Sequence, residues 1–129
     1  MHFLDFNKLS LRDINKTLQG SDKNDFFSIR NPKGSHALAV GINKKITVKV
    51  VGSVGYYCAG MNKFSDIKVE GSAGPGLGEN MMSGNIYVTG DVSQYAGASG
   101  HGGSILVGGN ASSRCGISMK GVDLSLIHI

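Results

Sequence analysis

Tryptophan is absent from this 129-residue chain, and proline and cysteine occur only twice each. Aromatic residues make up 7% of the chain, so a core has to come mainly from aliphatic side chains. Two cysteines cannot supply the disulfide framework of a small secreted fold and point instead to reduced thiols in a cytoplasmic protein. No run of 18 apolar residues occurs, which excludes a membrane-spanning helix. The opening MHFLDFNKLS carries Asp5 and no long apolar stretch, so it is not a secretory signal. Neither G-x-G-x-x-G nor a Walker lysine motif is found, and no glycine-rich stretch opens a predicted helix. Phosphate cradles are thereby disfavoured. The net charge of +4 is uneven. Residues 1–66 hold ten Lys/Arg against five Asp/Glu, and residues 67–129 hold three against four. A dense basic stripe is missing, so no nucleic-acid partner is expected.

Glycine is what the chain has in excess, at 20 residues and without a G-X-Y period. Written from Val48 in rows of nineteen, the sequence reads VKVVGSVGYYCAGMNKFSD, IKVEGSAGPGLGENMMSGN, IYVTGDVSQYAGASGHGGS and ILVGGNASSRCGISMKGVD. The first column holds Val48, Ile67, Ile86 and Ile105, and the third Val50, Val69, Val88 and Val107. The fifth is always glycine: Gly52, Gly71, Gly90 and Gly109. Val54, Ala73, Val92 and Ala111 share the seventh column, and Cys58, Leu77, Ala96 and Cys115 the eleventh. Each row opens with β-branched residues at period two, which predicts a short strand with two side chains inward. Glycine then permits a turn through backbone angles closed to other residues. One such strand cannot bury its own face, whereas stacked rows form a continuous core. Hairpin signals such as Asn-Gly or Asp-Gly are lacking. The fold class is therefore all-β, a single-stranded parallel β-helix (solenoid) with 19-residue coils.

Residues 1–47 read as a cap on the open solenoid end. LSLRDINKTL places Leu11, Ile14 and Leu18 at helical spacing, with Ser10 as N-cap and Asp13 three residues on. Gly20–Asp25 is a loop, and FFSIRNPKGSHALAVGI supplies one or two irregular strands. The β-helix repeats occupy 48–123. The terminal LSLIHI (124–129) would put Leu124 and Leu126 in the strand columns but His128 in the glycine column. It resembles the translation of a transposase-end sequencing adapter, so these residues are set aside and further coils are expected in the natural protein.

Residues with chemical potential have structural explanations. Cys58 and Cys115 lie three coils apart in an inward column, roughly 14 Å at ~4.8 Å per coil, too far for a disulfide. His101 sits in another column one coil from Cys115, an arrangement short of a nucleophile–base pair and short of a metal ligand set. His36 and His101 are turn histidines. No pair of carboxylates is poised for acid–base work. No catalytic, cofactor-binding or metal-ligating residue is expected. What exceeds the needs of plain turns is tyrosine, methionine and charge: Tyr56, Tyr57, Met61, Asn62, Glu79, Asn80, Met81, Met82, Arg114 and Lys120. Such residues are favoured in interfaces, so these form the candidate partner surface, although Arg114 and Lys120 could instead pair with Glu79 or Asp91.

The I-x-V-x-G rows, with GHGGSILVGGNASSRCGISMKG, resemble the glycine-patterned (GXGXG-type) domain at the C-terminus of the glutamate synthase large chain. GSVGYYCAGMN, GENMMSG, YAGASGHGG and SRCGISMKGVD look closest to its stand-alone version, the β-helix subunit of N-methylglutamate synthase. The β-helical subunit of formylmethanofuran dehydrogenase, with the same coil type, is a more distant relative. The resemblance covers roughly Leu9 to Asp123. It implies a right-handed β-helix without cofactor or catalytic residue, working beside two partners. One is a class II glutamine amidotransferase subunit; the other is a synthase subunit carrying FMN and an iron–sulfur cluster. Met1 followed by His2 departs from the N-terminal cysteine of an amidotransferase. The alternatives are a C-terminal domain subunit of an ordinary glutamate synthase and an autonomous binding solenoid.

Overall fold

The computed structural model describes residues 2–111 and 123–126. Its strands are β1 (His2–Asp5), β2 (Phe26–Arg30), β3 (Thr47–Val51), β4 (Asp66–Glu70), β5 (Asn85–Val88), β6 (Ser104–Val107) and β7 (Asp123–Leu126), with one helix, α1 (Leu11–Gln19), between β1 and β2. All seven strands among these residues pair in parallel and in chain order, so each new coil stacks on the one before it. The fold is a β-solenoid.

The register follows the sequence rows residue for residue. Val48 pairs with Ile67, Ile67 with Ile86 and Ile86 with Ile105. The same ladder continues from Ile105 to Leu124 and from Val107 to Leu126. Val48, Val50, Ile67, Val69, Ile86, Val88, Ile105 and Val107 are all buried. A buried Val or Ile contributes about 1.5–3 kcal/mol, so these two columns are the main apolar support of the repeat. Val54, Ala73, Val92 and Ala111 pair through isolated parallel bridges, which makes the seventh column a second line of contact between coils.

The sheet also extends upstream of the perfect repeat. β2 lies on β3 with Phe27 opposite Val48 and Ile29 opposite Val50, and β1 lies on β2. Coil length there is irregular because α1 and the Gly20–Asp25 loop fill the connection between β1 and β2. Ser10 Oγ accepts from the Asp13 N–H at 3.2 Å, and Ile14 and Leu18 point into the core.

The fifth-column glycines owe their identity mainly to close approach. An added Cβ at Gly71 would lie 2.7 Å from the Gly52 carbonyl carbon, and one at Gly90 2.7 Å from Gly71 O. At Gly109 it would lie 2.7 Å from Gly90 O. Only at Gly52 (φ +129°) is the backbone angle clearly one that other residues avoid. The freedom to turn, expected from the sequence, is thus the smaller part of the reason. Beside this column the backbone N–H groups are satisfied by side chains one coil back. Ser53 Oγ accepts from Ser72 N (3.0 Å), Ser72 Oγ from Asp91 N (3.1 Å), and Asp91 Oδ1 from Asn110 N (2.8 Å). This sixth column is a polar ladder that continues the strand ladder around the corner.

Candidate partner-binding face

Opposite the strands, each coil closes through an arc in which alternate residues adopt left-handed backbone angles. The same three positions recur: Tyr57, Ala59 and Met61; Gly76, Gly78 and Asn80; Tyr95, Gly97 and Ser99. Alternation turns successive peptide groups toward opposite neighbours. Tyr57 N donates forward to Pro75 O (2.7 Å) and Met61 N to Glu79 O (2.8 Å), while Ala59 N donates back to Leu38 O (2.9 Å). The arc is therefore a further inter-coil ladder, built without strands. It fixes the side chains that project from it.

Most of the surface residues picked out from sequence lie on or beside this arc. Tyr56, Met61 and Met82 are exposed at 53%, 48% and 48%, Asn80 is exposed, and Tyr57 and Glu79 are half-buried. Two residues leave the set. Met81 and Asn62 are wholly buried in successive coils. Met81 packs in the hydrophobic core. Asn62 Nδ2 donates to Ser65 O (3.0 Å) and Ser83 O (3.3 Å), and its Oδ1 accepts from the Ser65 hydroxyl. Its polarity serves the corner of the coil, because a buried amide needs those partners. Phe64 joins the set, at 52% exposure, with Lys63 Nζ 5.5 Å from its ring centroid. The sequence pattern does not single it out. Arg114, Lys120 and Cys115 lie outside the described residues.

A cleft of about 480 Å³ opens on the arc, lined by Tyr56, Tyr57, Pro75, Gly76, Glu79 and Tyr95. His36 braces its rim: the ring stacks on Tyr56 at 3.8 Å between centroids, and its Nδ1 accepts from Tyr56 N at 2.9 Å. A second depression of about 300 Å³ lies on the outer strand face, lined by Thr47, Asp66, Asn85, Ser104, Tyr87 and their neighbours. Its polar groups already serve one another, since Asn85 Nδ2 donates to Asp66 Oδ1 and Ser104 Oγ to Asn85 Oδ1. The tyrosine cleft is the better candidate for an external ligand.

Reactive groups are placed for structure. Cys58 is fully buried, and burial pushes its thiol up to about 12, far from the thiolate that a nucleophile needs. His101 is exposed, and its N–H donates to Met81 O at 2.8 Å. Among the described residues no three His, Cys, Asp or Glu side chains are grouped to hold a metal ion. Nor is any helix among them long and apolar enough to cross a membrane.

The chain is 55% identical over 64 residues to Protein GlxC of Rhizobium meliloti (strain 1021), a match covering 46% of this chain. It spans 27% of the length of that relative. No protein-family profile and no solved structure matches it.

Proposed function

We propose that this chain is a β-solenoid subunit of a glutamate synthase-related complex, docking its catalytic partners through the arc face. The I-x-V-x-G rows and GHGGSILVGGNASSRCGISMKG support the glutamate synthase relation. The finer reading is N-methylglutamate synthase, supported by the motifs GSVGYYCAGMN, GENMMSG and YAGASGHGG. In that setting the partners are a class II glutamine amidotransferase subunit and a synthase subunit carrying FMN and an iron–sulfur cluster. The solenoid holds no cofactor; it fixes how the two stand relative to each other.

The observation that carries the docking role is the exposure of large apolar side chains on the non-strand side of the coils. Tyr56, Met61, Phe64 and Met82 stand exposed on two successive coils, and Tyr56 lines the tyrosine cleft. Exposed aromatic and methionine side chains are favoured in protein contact surfaces. Co-expression with the two partner chains tests it. The three should purify as one complex, and Met82→Asp should weaken recovery at least about fivefold, the effect of an interface residue contributing more than ~1 kcal/mol. Unchanged recovery with Met82→Asp and Tyr56→Asp would overturn the docking role.

A further inference from the structure

We infer that the cleft around Gly76 takes the guanidinium group of an arginine presented by the partner that covers this face, an inference resting on the docking role above. Three of the chain's four tyrosines line this cleft, drawn from two coils that flank a third. Tyr57, Gly76 and Tyr95 occupy equivalent positions in successive coils, each with a left-handed backbone. The Tyr57 and Tyr95 positions are therefore two coil spacings apart, roughly 10 Å. The residue between them has no side chain, which leaves a gap between the two tyrosines.

Glu79 occupies that gap. Its Oε2 lies 3.0 Å from the point where a Cβ at Gly76 would stand. The carboxylate is half-buried and has neither an ion pair nor a side-chain hydrogen bond among the described residues. Lys63 is turned to Phe64, and Lys49 and Lys68 pair with Glu70 on the strand side. A carboxylate set between tyrosines and a proline suits a cation that is itself flat and weakly hydrated. Guanidinium stacks on aromatic faces and offers parallel N–H donors to a carboxylate. An ammonium is compact and strongly hydrated, so it fits less well. An apolar or anionic occupant would bury Glu79 without a partner, which is costly.

Titration of the isotopically labelled full chain with N-acetyl-arginine amide, N-acetyl-lysine amide and N-acetyl-norleucine amide tests the chemistry by NMR. The arginine probe should give saturable shifts centred on the amides of Tyr57, Gly76, Glu79 and Tyr95. The lysine probe should bind more weakly and the norleucine probe not at all. Glu79→Gln should weaken the arginine probe about threefold to fivefold, the range of a partly exposed ion pair. Gly76→Asn, whose side chain tolerates a left-handed backbone, should plug the gap and abolish binding with the charge intact. Equal shifts with norleucine, unchanged affinity in Glu79→Gln, or no saturable shift would each overturn the inference. In the co-purification assay, loss with Met82→Asp and no effect of Glu79→Gln would leave the docking role standing and remove the arginine. Indifference to Met82→Asp and Tyr56→Asp would remove the docking role itself.

Discussion

Gly90→Ala tests why the glycine column exists. Gly90 has no left-handed backbone angle to excuse it, so a φ argument predicts a harmless change. The packing predicts otherwise. The new methyl would stand 2.7 Å from Gly71 O, 2.9 Å from Gly71 C and 2.5 Å from Ser72 Oγ, where ordinary contact needs about 3.5–4 Å. The serine hydroxyl can rotate away at the loss of its hydrogen bond from Asp91 N, but the Gly71 carbonyl cannot. It accepts the Gly90 N–H at 2.8 Å, and Gly90 O accepts from Gly109 N at 2.9 Å. The coils must separate by roughly 1 Å at this corner, which adds an overpacking cost of ~1–3 kcal/mol to the weakening of two hydrogen bonds of ~1 kcal/mol each. A loss of about 3 kcal/mol is expected. Gly34→Ala is the reference, because Gly34 has φ +73° and nothing within 4 Å of an added Cβ. It should lose only about 1 kcal/mol, the left-handed penalty less the gain from a stiffer unfolded chain. Urea unfolding followed by circular dichroism measures both. A Gly34→Ala variant as damaged as Gly90→Ala would refute the close-approach reasoning. So would full rescue of Gly90→Ala by Ser72→Ala, since that would place the clash on the hydroxyl alone.

Three further outcomes are expected. Met81→Asp should cost more than about 3 kcal/mol, because it buries an unpaired charge at a site with 0% exposure, whereas Met82→Asp should stay within about 0.5 kcal/mol by the same urea assay. Ser99→Gly should raise stability by about 0.5–1 kcal/mol, relieving an exposed non-glycine residue at φ 56°; a lower midpoint would contradict this. Cys58 contributes to the loss of stability at alkaline pH. Burial raises its thiol from 9.0 to about 12, so the native state keeps a proton that the unfolded chain releases. The associated stability is complete below pH 9 and is lost as pH rises toward 12, on the order of 4 kcal/mol in all. Cys58→Ala should therefore flatten the decline of Tm with pH above 9, and an unaltered decline would reject the burial argument.

What could be read from the sequence was whatever repeats at a fixed interval. From Val48 onward the rows carry no insertion, so strand columns, glycine column and seventh-column bridges appear in the structure at the register read from the letters. Upstream, β2 steps to β3 over 21 residues and β1 to β2 over 25, and such offsets hide strands that belong to the same sheet. Helix α1 stayed legible because its cap and its apolar spacing are local signals. The arc shows where pattern reading stops. Its left-handed positions hold Tyr57, Ala59 and Met61 in one coil and Gly76, Gly78 and Asn80 in the next, so no residue type marks the conformation. Inter-coil hydrogen bonds impose it, at a cost of about 1 kcal/mol for each non-glycine residue that adopts it. The candidate residues make the same point. Met81 and Met82 are adjacent and chemically identical, yet one fills the core and the other faces solvent. Asn62, Met81 and Gly100 share one buried position of the coil, and Lys63, Met82 and His101 share the next, exposed one. The letters in the two columns are too mixed to tell inside from outside. Sequence thus located the face from its composition, and only the stacked backbone could sort its side chains into those that hold the coil and those free to meet a partner.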